Sequence, residues 1–236
     1  DKTRYVNISI GIGGWQPEAA EDVDRLGYGD CKALTNYMHA ILKIAGIKSI
    51  YTLVKAGSNT SFILSDFTMN QFNHAILCVP LEKDTMWLEC TSQKLPPGYL
   101  GKFTDDRDVL LIKEQESELV RTRAYSLEEN KVQREVRFEL NEQGSGHAEI
   151  STKYIGLKTD EIFPNVDATS EDAKKHLYNK IDIPDFTLLD FKYVLKEDII
   201  PEIEEKVDLD IYNYAAVIDS RLVLPINLMN KREDIP

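Results

Sequence analysis

The sequence predicts an α+β protein of two domains. Three observations carry that expectation: one strongly amphipathic helix, several short β-branched and aromatic runs between turn residues, and a shift near residue 115 to charged alternation. At 236 residues, 42% of them hydrophobic, the chain can build one large core or two modest ones. Its charged fraction of 29% and its lack of low-complexity tracts exclude a disordered chain.

The net charge of -12 argues against a nucleic-acid partner, which clustered Lys and Arg would have to hold. The longest apolar runs, Ala75–Pro80 and Tyr214–Ile218, fall far short of a bilayer span of about 20 residues. No membrane span and no signal peptide are expected. Three cysteines, Cys31, Cys78 and Cys90, are too few for a disulfide framework. Asp1-Lys2-Thr3-Arg4-Tyr5 opens without an initiator Met, as a segment cut from a longer protein would.

Tyr5–Ile12 reads as a short extended piece entering the turn at Gly11, Gly13 and Gly14, and a polar loop follows. From Asp30 to Ala45, Leu34, Tyr37, Met38, Ile41, Leu42 and Ala45 keep the spacing of a helix with one buried face. Asp30 stands at its N-cap and Gly46 at its C′ position, which puts Cys31 in the first turn. Ile47–Val54, Phe72–Val79 and Thr85–Thr91 read as strands, the last two joined by a hairpin through Pro80–Asp84. Val109–Ile112 is one more short apolar run. Val132–Leu140 and His147–Tyr154 form a hairpin around Gly144-Ser145-Gly146, Glu171–Lys180 a helix, and Phe186–Leu195, Lys206–Ile211 and Arg221–Leu228 further strands. The domains are 1–114 and a β-rich, sandwich-like 115–236.

A thiol is a useful nucleophile only as thiolate, which a helix N-terminus favours. Cys31 has that position, although a free cysteine at a helix start is often plain core. In the strand Phe72–Val79, His74 shares a face with Phe72, Ile76 and Cys78, and Glu89 shares one with Trp87. A hairpin centred on Leu81 and Glu82 sets His74 directly across from Glu89, and a turn further along makes them diagonal neighbours. A cross-strand His–Glu pair alone is usually an ion pair. With a helix-start cysteine it becomes nucleophile, base and orienting acid.

Tyr28-Gly29-Asp30-Cys31-Lys32, Asn73-His74-Ala75 and Trp87-Leu88-Glu89-Cys90-Thr91 resemble the cysteine, histidine and acid motifs of the transglutaminase-like superfamily. Arg4-Tyr5-Val6 and Gly11-Ile12-Gly13-Gly14-Trp15-Gln16-Pro17 are similar to a bacterial subgroup in which such a domain lies between β-rich domains of unknown function. The resemblance covers about residues 2–112. It implies a papain-like core whose nucleophile helix packs on an antiparallel sheet, with an N-terminal helix missing before Arg4. It also implies a Cys31–His74–Glu89 triad acting on protein or peptide amides, peptidase-like hydrolysis before cross-linking, and an exported, periplasmic or cell-surface setting. The family's usual Asp is Glu89 here, one methylene longer, and Cys90 stands where Pro or Ala is common.

For the oxyanion, the Cys31 backbone N–H is the natural donor and Gln16 the candidate second, because papain-like sites use a glutamine upstream of the nucleophile. Trp15 either lines the same cleft or packs. His39 reads as structural, and His147 and His176 have no partner in the sequence. Cys31, Cys90, His74 and Glu89 lack metal-ligand spacing, and no nucleotide-binding glycine loop occurs, so no metal and no cofactor is expected. The competing expectation is an inactive binding or cell-surface assembly module, motivated by Glu89 and the acidic β-rich half.

Overall fold

A computed structural model of the chain describes residues 2–8, 14–57, 63–67, 69–196 and 198–225. The fold is α+β, its sheets are mostly antiparallel, and one of them curls as a half-barrel. Two compact units emerge, Asp1–Ser126 with Asp198–Ile200, and Leu127–Glu197 with Pro201–Pro236.

The first unit runs β1 (Arg4–Tyr5), α1 (Ala20–Leu26), β2 (Tyr28–Gly29), α2 (Cys31–Ile44), β3 (Ile50–Val54), β4 (His74–Pro80), β5 (Thr85–Leu88), β6 (Asp108–Leu111) and β7 (Glu118–Arg121). Five of these strands form an antiparallel sheet in the order β5-β4-β3-β6-β7. Strand β7, past residue 114, belongs to this unit through its pairing with β6, Val109 opposite Val120. The turn expected at Gly11 and Gly13 lies outside the described residues.

Helix α2 forms where its apolar stripe and caps place it. The Asp30 carboxylate accepts the Ala33 N–H at 3.0 Å, and Gly46 takes the left-handed φ of +74° that favours glycine. The helix packs on β4, where residues 74–79 are all buried. Ile76, Cys78, Trp87, Val54, Val109, Leu111 and Leu100 form the main core of the unit, and Val23, Ala33 and Leu34 join α1 to α2.

The second unit contains β8 (Val132–Leu140), β9 (Gly146–Ile155), α3 (Phe163–Val166), α4 (Ser170–Lys180), β10 (Phe186–Lys196), β11 (Glu202–Ile211), β12 (Ala216–Ile218) and β13 (Arg221–Val223). Its four-stranded antiparallel sheet has the order β10-β11-β9-β8. Alternation makes that sheet two-sided. Ala148, Ile150, Val207, Leu209 and Ile211 bury one face with Leu177 of α4, while His147, Glu149, Asp208 and Asp210 stand on the other. Inside the buried side, Glu205 is fully enclosed. It accepts Lys180 Nζ at 2.8 Å on each oxygen and the Tyr154 hydroxyl at 2.9 Å.

Candidate active site

Three local structures converge at one end of the first sheet. Cys31 opens α2, His74 opens β4, and Glu89 follows the last residue of β5. Because β4 and β5 are antiparallel, the start of one and the end of the other share an edge of the sheet.

Cys31 is held by a tightly packed approach. β1 pairs with β2 in parallel, Tyr5 opposite Gly29, and Val6 N–H donates to the Gly29 carbonyl at 2.9 Å. A Cβ on Gly29 would stand 2.8 Å from the Ala33 Cβ, closer than side chains tolerate, so glycine lets β2 run against the first turn of α2. Asp30 also pairs with Lys32, in the same turn as Cys31. One turn on, the Thr35 hydroxyl donates to the Ala75 carbonyl at 3.0 Å and ties α2 to β4 beside His74.

His74 is buried, with 8% of its surface exposed. Its Nε2 lies 2.9 Å and 3.1 Å from the two Glu89 carboxylate oxygens. Cys31 is its other hydrogen-bonding neighbour, and both side chains line one cleft. The Phe103 ring meets the imidazole edge-on with centroids 5.2 Å apart. Asn73, just before it, exchanges two hydrogen bonds with Ala56, accepting at 2.7 Å and donating at 2.9 Å, which prolongs the β3–β4 pairing beyond the histidine.

The electrostatics follow from this geometry. Burial pushes the imidazole toward neutrality, but hydrogen bonds to Cys31 and Glu89 and their negative charges outweigh it and raise the His74 pKa to about 9. Burial likewise disfavours the Glu89 carboxylate, yet His74 and the Thr91 hydroxyl and N–H hold it below the usual carboxylate range. Tyr51 and Tyr5 are both raised, first by burial and then by the charges of Cys31 and Asp30. Cys90 is pushed up to about 12, chiefly by burial, and Cys78 is raised for the same reason.

A cleft of about 300 Å³ opens on the sulfur, lined by Trp15, Cys31, Lys32, Leu53, Phe72 and His74 among others. Trp15 is 73% exposed and stands in its wall. Gln16, next to it, is exposed and does not line the cleft. The Cys31 N–H belongs to the first turn of α2, where no carbonyl of the helix itself is placed to accept it.

The register departs from direct opposition. Leu77 pairs with Leu88 and Pro80 with Thr85, so a four-residue loop, Leu81 to Asp84, closes the hairpin, with the Leu81 N–H donating to the Asp84 carbonyl at 2.9 Å. His74 and Glu89 are therefore diagonal neighbours, the second of the two registers expected for this hairpin.

Thr35, Tyr51 and Phe103 also belong to the site without being singled out by the sequence, and Thr91, named there as the end of the acid motif, bonds Glu89. Only Thr91 carried a signal, a hydroxyl two residues after the acid. His147, expected without a partner, lies 3.1 Å from Asp208 and 3.3 Å from Asp210, because β9–β11 pairing sets it opposite Asp210. Among the described residues, His147, Glu149 and Asp208 are the group with ligand atoms close enough for a cation, within 4.8 Å of one another on the open sheet face. No described helix is long and apolar enough to cross a membrane.

The chain matches no family model, no curated protein and no solved structure.

Proposed function

We propose that the first unit is a transglutaminase-like domain with a papain-like core, and that it performs cysteine-dependent acyl transfer on protein or peptide amides. The observation that carries this reading is the buried His74, bonded through Nε2 to Glu89 and neighboured by Cys31 at a helix start. The Cys31 thiolate adds to the amide carbonyl, and the Cys31 N–H bonds the resulting oxyanion. His74 gives its proton to the leaving amine as the C–N bond breaks, leaving a thioester and a neutral imidazole. That imidazole takes a proton from water, hydroxide adds to the thioester, and expulsion of the sulfur returns the acid product and the starting ion pair. Hydrolysis is preferred to cross-linking by the resemblance of the motifs.

Alkylation by iodoacetamide at pH 6, mapped by mass spectrometry, tests it. Cys31 should react well ahead of free cysteine, and ahead of Cys90 and Cys78, whose raised pKa values keep them as thiols. His74→Ala should abolish the difference. Labelling of Cys31 no faster than free cysteine would sink the enzyme and leave a binding module. Release of amine from peptide amides, against incorporation of a fluorescent primary amine, separates hydrolysis from cross-linking.

A further inference from the structure

Building on the acyl-transfer reading, we propose that Thr91 is a positioning residue whose hydroxyl folds the Glu89 side chain back and aims its carboxylate at His74. The β4–β5 register pairs Leu77 with Leu88, and its continuation sets Thr91, rather than Glu89, opposite His74. Glu89 reaches the histidine diagonally from just past the strand end, where no ladder bond fixes its backbone. A glutamate has one more rotatable bond than aspartate, so an unrestrained side chain there would sample several headings.

Thr91 removes that freedom. Its hydroxyl donates to Glu89 Oε1 at 2.6 Å and its N–H to the same oxygen at 3.1 Å. Oε1 takes both Thr91 donors and lies 3.1 Å from His74 Nε2, while Oε2 is presented to the same nitrogen at 2.9 Å. The 2.6 Å contact has the short length of a charge-assisted O–H···O⁻ bond. The same two donors help to keep Glu89 ionised against its burial.

Thr91→Val removes the hydroxyl at constant shape, and Thr91→Ser keeps it. Two quantities are measured in the full chain: the iodoacetamide rate of Cys31 at pH 6, and the NMR titration of His74, assigned with His74→Gln. Thr91→Val should slow alkylation about tenfold, the effect of losing one hydrogen bond to a charged group, and move the His74 titration to lower pH. Thr91→Ser should stay within about twofold of the wild type, which a purely structural role of the side chain would not predict. Should Thr91→Val fail to fold, Thr91→Ala is read in the same two ways. A wild-type Cys31 that labels rapidly, with Val and Ala variants unchanged in rate and titration, overturns the proposal alone. A wild-type Cys31 as slow as free cysteine overturns this proposal together with the acyl-transfer reading.

Discussion

His74 and Glu89 meet across the β4–β5 hairpin as diagonal neighbours, Nε2 to Oε2 at 2.9 Å, with both side chains 7% exposed. Burial at this level makes the pair depend on both members, since either charge left alone has lost its water without gaining a partner. Glu89→Gln keeps the shape and a hydrogen-bond acceptor but removes the charge. We expect the His74 titration to fall toward its ordinary range and the alkylation of Cys31 at pH 6 to slow by at least about tenfold, the equivalent of about 1.4 kcal/mol. An unchanged titration would mean that Cys31 alone sets the imidazole.

The same pair predicts how stability varies with pH. The His74 pKa is raised to about 9 in the folded chain from 6.5, so its contribution is complete below about pH 6.5 and lost as pH rises through 9. The Glu89 pKa is lowered from 4.5, so its contribution is present above that value and lost as pH falls below it. Chemical denaturation should therefore give a plateau near pH 5 to 6.5. His74→Gln should flatten the alkaline limb, a change on the order of 1–3 kcal/mol. An alkaline limb identical in the variant assigns the loss to other groups.

How far the site could be read beforehand depended on what fixed each contact. The helix position of Cys31 was legible because a complete apolar stripe and both caps are local in sequence. That His74 and Glu89 share an edge was legible from strand parity, but their register was not. It is set by Leu81 to Asp84 forming a four-residue loop, and Leu-Glu-Lys-Asp contains none of the Asn-Gly or Gly signals that name a turn. Helix α1 escaped notice because Val23 is its only buried residue, and β7 because three of its four residues are exposed. Phe103 reaches His74 from beyond the Leu95-Pro96-Pro97-Gly98 break, where no periodicity points to a partner.

Gly29 offers a test of the packing that sets the start of α2 and with it Cys31. Gly29→Ala places a methyl group 2.8 Å from the Ala33 Cβ and should cost about 1–3 kcal/mol by overpacking. Ala33→Gly removes the opposing methyl but weakens α2 by roughly 0.5–1 kcal/mol on its own. The double variant should be more stable than the sum of the single losses, a coupling that urea titration of the four proteins measures directly. Strict additivity would place the strain elsewhere, because Leu34 N and Val23 Cγ2 are the next atoms at 3.6 Å.

In the second unit the decisive group is Glu205, with none of its surface exposed and both oxygens held by Lys180. Lys180→Met keeps most of the side-chain volume and withdraws the ammonium bonded to both oxygens of this carboxylate. The Tyr154 hydroxyl remains as a donor at 2.9 Å, too little to replace the lost charge. We expect a loss of about 3–5 kcal/mol in the single variant. Glu205→Gln in the Lys180→Met background should recover a large part of it, because no uncompensated charge is left in the core. Differential scanning calorimetry of wild type, single and double variants reads this order. A Lys180→Met protein as stable as the wild type would show that the buried carboxylate does not depend on this ammonium.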